Sequence, residues 1–229
     1  MIRPAFAAIL ALSLTAPLFG QEFKPLFDGK SLAGFTQHGG KAKYTVEDGA
    51  IVGRSVPNTQ NSFLCTDKEY GDFILELEFK VHPELNSGVQ IRSQVFAEEK
   101  EIEYKEDTET KKKKIPADRV HGYQVEIDPS DRSFSGAIYD EARRGRFLQD
   151  LKDNEAARKA FKQGEWNKFR IECRGDSIKT WINGVPAVDL KDSVTPKGVI
   201  ALQVHGVGNR QEPLDVSWRN IRIQELGGQ

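Results

Sequence analysis

Three short segments place planar hydrogen-bonding and proton-carrying side chains at every second position. Gln90, Arg92 and Gln94 alternate with Val89 and Ile91. Gln124, Glu126 and Asp128 alternate with Tyr123, Val125 and Ile127, and Gln203 and His205 with Leu202 and Val204. In a strand, every second side chain shares a face. Each segment therefore presents its polar set opposite its apolar set. Amide, guanidinium, carboxylate and imidazole groups donate and accept in fixed planes, which suits sugar hydroxyls. Glu126, Asp128 and His205 can also move protons.

Each residue has an ordinary alternative. Glu126 and Asp128 are either an acidic surface pair or a site pair, serving as acid/base or metal ligands. A dry site would raise at least one of their pKa values. Arg92 either neutralises them or serves as an electrophile. His205 is either structural or the base. Tyr139 and Asp140, in Gly136–Glu141, belong to a charged surface loop or to a loop over the sheet that holds substrate. His38, His82 and His121 are dispersed without ligand spacing and read as structural. Cys65 and Cys173 are either one disulfide or two buried free thiols.

The elements that must position these residues are strands. Phe73, Leu75, Leu77, Phe79 and Val81 alternate with Asp72, Glu76, Glu78 and Lys80. Further strands are expected at Tyr44–Val46, Ala50–Gly53, Val89–Val95, Tyr123–Ile127, Phe169–Cys173, Ile178–Ile182, Val199–Val204 and Val216–Ile223. Asn183-Gly184 suits the positive φ angles of a tight hairpin, and Gly175-Asp176 marks another reversal. The last strand changes phase between Trp218 and Ile221, which predicts a bulge near Arg219-Asn220. Ala97–Val120, with Lys111–Lys114, reads as a solvated loop or extended hairpin. Asn154–Phe161 reads as a short helix. The whole predicts an all-β sandwich of two antiparallel sheets.

Composition bounds the function. With 33 basic and 34 acidic residues among 229, the formal charge of −1 argues against a general nucleic-acid binder. A mean hydropathy of −0.54 argues against an integral membrane protein. The start is different: Met1-Ile2-Arg3, then an apolar run from Ala5 to Thr15, then Pro17 and Gly20. This is a secretory signal pattern, too short for a comfortable span. It predicts cleavage near Gly20–Gln21, no membrane span in the mature chain, and a secreted, periplasmic or extracellular protein. Residues 1–20 are the signal and 21–229 one domain. No Cys stands at the cleavage point to accept a lipid.

Taken in order, several segments resemble the 3-keto-disaccharide hydrolase family. They are Pro25–Phe35, Tyr70–Phe73, Asn86–Arg92, Gly122–Asp128, Gly136–Glu141, Glu165–Asn167 and Trp181–Gly184. The resemblance covers the whole mature chain. It implies a concanavalin A-like jelly roll with a polar concave face, and cleavage of sugars already oxidised to a ketone at C3. Such a ketone acidifies the C2 proton. A base removes it, the C1–O bond breaks by elimination, and water adds back. The reaction needs a base, an electrophile for the enolate oxygen and an acid for the leaving oxygen. Glu126, His205 and Arg92 are the expected catalytic set, with His205 favoured as base and Glu126 as its acid partner. Gln90, Gln124, Asp128, Tyr139 and Gln203 are expected to bind substrate. A divalent cation on Glu126, Asp128 and His205 is an alternative electrophile.

Two rivals stand beside this. Glu126-Ile127-Asp128 resembles half of the Glu-x-Asp-x-x-Glu strand of laminarinase-type β-glucan hydrolases, but Asp131 stands where the second Glu is needed. Retaining hydrolysis wants carboxyls ~5–5.5 Å apart, whereas same-face strand neighbours lie nearer ~7 Å. A non-catalytic carbohydrate-binding module is the other rival.

Overall fold

The computed structural model describes residues 22–106 and 108–227. The expected signal segment lies outside them. In chain order the strands are β1 (Lys24–Pro25), β2 (Phe35–Gly39), β3 (Lys43–Glu47), β4 (Ala50–Arg54), β5 (Ser62–Thr66), β6 (Phe73–Val81) and β7 (Ser87–Gln94). They continue as β8 (Lys100–Glu106), β9 (Glu109–Ile115), β10 (His121–Ile127), β11 (Ile138–Glu141) and β12 (Phe147–Gln149). After α1 (Glu155–Ala160) come β13 (Asn167–Arg174), β14 (Ser177–Ile182), β15 (Val185–Lys191), β16 (Val199–Val204) and β17 (Asp215–Glu225).

Two antiparallel sheets face each other in a concanavalin A-like jelly roll. One runs β15-β14-β13-β6-β17-β4-β3, with β1 added on β17; the other runs β12-β11-β10-β7-β16-β5-β2. The apolar phase of each strand fills the space between them. Phe73, Leu75, Leu77 and Phe79 of β6 meet Val89, Ile91, Tyr123, Val125 and Leu202 in one buried cluster. Burying a large apolar side chain stabilises by about 1.5–3 kcal/mol, so this layer orients both sheets. The polar phase of β7, β10 and β16 is thereby forced onto the outer face of the second sheet.

The local punctuation follows the sequence. Asn183 (φ 49°) and Gly184 (φ 83°) close the β14–β15 hairpin. Asn154 caps α1 by accepting from the Ala157 N–H at 3.1 Å. The β17 register shifts between Arg219 and Arg222, with Asn220 at φ 52°. The charged 97–120 stretch forms the β8–β9 hairpin. Lys112 and Lys114 face Glu103 and Glu101 across the strands, with Lys112 at 2.9 Å from Glu103. Cys65 and Cys173 are free and buried, one in each sheet.

Candidate active-site cleft

Adjacent strands bring the polar phase together. Gln124 stands opposite Gln90, and Glu126 opposite Gly88, which in turn faces Gln203. Gly88 is needed because a Cβ there would come within 2.5 Å of the Gln124 side chain. Without it, Gln124 lies across β7 and accepts from Gln90 Nε2 at 2.6 Å and Gln203 Nε2 at 2.8 Å. Gln124 then donates from Nε2 to Glu126 Oε2 at 2.7 Å.

Above this floor lies a cleft of about 340 Å³. Asn86, Gln124, Glu126, Arg132, Tyr139, Glu141, Phe147, Gln203 and His205 form its walls. Glu126 is 4% exposed. Burial pushes its carboxyl up to about 7, against the pull of Asn86 and Gln124. Asn86 donates to Oε1 at 2.7 Å, and Arg132 Nη2 stands 3.7 Å from the same oxygen. The exposed imidazole of His205 has Nδ1 at 2.8 Å from the Gly206 carbonyl oxygen. A carbonyl only accepts, so Nδ1 carries a hydrogen and the neutral ring has its lone pair on Nε2.

Arg92 is a correction to the expected site. β7 carries a bulge here: Ile91 pairs with Tyr123 but Gln94 with His121, and the β16 register shifts at the same place. Arg92 sits at φ 46°. The extra residue turns its side chain off the outer face and returns Ser93 to it. Arg92, fully buried, donates to the Gly71 and Gly175 carbonyls at 2.7 Å each and to Asp72 at 2.8 Å. It joins the two sheets and does not reach the cleft.

Asp128 is also differently employed. It accepts from the Ser130 hydroxyl at 2.6 Å, Arg132 Nε at 2.7 Å and the Phe134 N–H at 3.1 Å. Burial pushes its carboxyl up, but Arg132, Ser130 and the Phe134 amide outweigh that and hold it below its ordinary value. Asp128 therefore shapes the 129–135 turn. Gln90 is buried beneath Gln124 and touches Glu126 only through it. Asp140 is buried between Arg143 and Arg144, behind the cleft wall. Among the described residues no three His, Cys, Asp or Glu side chains are placed to hold a metal ion. Of the expected ligands Glu126, Asp128 and His205, Asp128 has its oxygens taken by the 129–135 turn.

Sequence reasoning missed four wall residues. Arg132 is held over the Phe134 and Phe147 rings, each at 5.2 Å. Its place depends on the turn that Asp128 makes, which no periodicity reports. Glu141 pairs with Arg119, and burial pushes its carboxyl up. It lies two residues from Tyr139 on β11, and that alternation was a usable signal. Asn86 opens the Asn86–Arg92 segment but precedes the strand. Phe147 lies on a three-residue strand.

The profile of the 3-keto-alpha-glucoside-1,2-lyase-like domain matches residues 22–224. The chain belongs to that family. No curated protein matches it. Among solved structures, the carbohydrate-binding module CBM66 of Bacillus subtilis is 17% identical with a TM-score of 0.57, covering 84% of this chain and 96% of its own. A Parabacteroides distasonis protein provisionally named a glycosyl hydrolase is 19% identical with a TM-score of 0.58, covering 90% and 94%. A galectin-like protein of unknown function from Bacillus subtilis is 11% identical with a TM-score of 0.59, covering 91% and 96%. At these identities the likeness is one of fold. Among the described residues no helix is long and apolar enough to cross a membrane.

Proposed function

We propose that this family member cleaves 3-keto-glucosides or 3-keto-disaccharides by elimination at C1 followed by hydration. One observation carries the reading. A buried carboxyl with a pKa of about 7, Glu126, shares a cleft with His205, whose Nε2 lone pair is free. An acid that holds its proton near neutrality and an imidazole nitrogen open to the cleft are the pair that the elimination needs.

His205 Nε2 takes the C2 proton. The C–H electrons move into a C2–C3 enolate whose oxygen lies against Arg132, the guanidinium that lines the cleft. The enolate then re-forms the C3 ketone, a C1–C2 double bond forms, and the C1–O bond breaks. Glu126 gives its proton to the leaving oxygen. Water adding across C1–C2 yields the free keto sugar. The amide floor holds Glu126 in place through the reaction.

A sugar-binding role without catalysis would need the same amide floor, but no carboxyl held near neutrality. Direct β-glucan hydrolysis would need Asp128 free, and its oxygens are taken by the 129–135 turn. Export beyond the cytoplasm is part of the proposal, on the strength of the Met1–Gly20 pattern.

Deuterium exchange at C2 of a 3-keto-glucoside in D2O tests the roles separately. His205→Ala should lose exchange and cleavage together. Glu126→Gln should retain exchange and stall at C1–O cleavage, each variant losing ~10²–10⁴-fold in turnover. Exchange at the wild-type rate in His205→Ala would remove His205 as base and move that role to Tyr139.

A further inference from the structure

Gln203 is fully buried yet belongs to the cleft wall. Its Nε2 donates to Gln124 at 2.8 Å, while its Oε1 meets no donor. Which end of an amide is oxygen is decided by its network, and this network is anchored. Once Glu126 is ionised both its oxygens only accept, so Gln124 turns Nε2 toward it, at 2.7 Å. That sends Gln124 Oε1 back toward β7 and β16, where Gln90 and Gln203 must both present Nε2. Gln90 is locked again from behind, since its Oε1 accepts from the Ser93 hydroxyl at 2.8 Å. Flipping Gln203 would set two carbonyl oxygens against each other. Its Oε1 is therefore held at the cleft as an acceptor with no donor.

A buried acceptor without a donor is costly, and a site built around one discriminates strongly for a ligand that supplies the hydrogen. We propose that Gln203 Oε1 reads a free hydroxyl of the sugar ring. A ketone oxygen has no hydrogen to give and is refused at this position. The inference rests on the sugar-cleaving reading above and sets how the ring lies. The keto oxygen goes toward Arg132 and a hydroxyl goes toward Gln203.

The test uses 3-keto-glucoside and its 2-, 4- and 6-deoxy analogues. Binding is measured by calorimetry in the full chain carrying His205→Ala, which stalls turnover and leaves the Glu126 anchor intact. One deoxy analogue should bind roughly 10- to 100-fold more weakly than the parent. Adding Gln203→Met should bring that ratio close to one. The ratio is taken within one protein, so a partly unfolded sample does not distort it. If the Met variant does not fold, the panel in His205→Ala still decides: equal binding of all four sugars overturns the proposal. So does a ratio that survives Gln203→Met. Hydroxyl discrimination without wild-type cleavage of the keto sugar would sink the functional reading and leave the role of Gln203 standing. Cleavage without discrimination would do the reverse.

Discussion

Glu126 on β10 and Asp128, just past the end of that strand, lie two residues apart, yet their carboxyls are driven in opposite directions. Both are buried. Burial dominates at Glu126, whose donors are neutral amides, and its pKa reaches about 7. At Asp128 burial is outweighed by Arg132, the Ser130 hydroxyl and the Phe134 amide, and the pKa falls. One carboxyl is left as a proton carrier while the other builds the turn that brings Arg132 beside it.

The Glu126 shift has a stability signature. Its folded pKa of about 7 lies above the ordinary 4.5, so the folded state binds the proton more tightly. That stabilisation is complete at low pH. It is lost as pH rises from about 4.5 through about 7, and the total is about 3 kcal/mol. Chemical denaturation of wild type and Glu126→Gln at pH 5 and pH 8 measures it. The variant should gain on wild type by a few kcal/mol between the two. A difference independent of pH would show that Glu126 titrates normally.

Arg92 should matter for folding and not for chemistry. Arg92→Met removes three bonds that join the two sheets and should cost about 2–4 kcal/mol. Turnover per folded molecule, corrected by the denaturation curve, should stay within a few-fold of wild type. A collapse of turnover in fully folded protein would return Arg92 to the reacting atoms.

The two thiols should be silent in the folded state. Burial pushes both Cys65 and Cys173 up to about 12. Alkylation followed by mass measurement should find both unmodified in the native protein and both modified after denaturation without reductant. A native disulfide would leave them unmodified in both conditions.

Much of the fold was legible because most strands bury one face. The alternation in β6, the capping Asn154, the Asn183-Gly184 turn and the phase change at Asn220 all report local geometry. β5 sets Phe63, Leu64 and Cys65 in a row without alternation, and β11 and β12 are only four and three residues long, so none offers a period to read. Arg92 shows the harder failure. Gln90, Arg92 and Gln94 alternate as a flat strand would, and the bulge is visible only in how β10 and β16 pair with β7. Asp128 was placed on the right face, but its partners come from a turn whose path the sequence pattern does not encode. The face was readable; the division of labour on it was set by tertiary contacts.

The most direct test of the central claim is product analysis by mass spectrometry. Purified protein is given a 3-keto-glucoside and, separately, its unoxidised parent. Elimination requires the acidic C2 proton, so the keto sugar should be cleaved to free 3-keto-glucose and aglycone while the parent remains intact. Equal cleavage of both would contradict the account, because bond breaking would then owe nothing to the ketone.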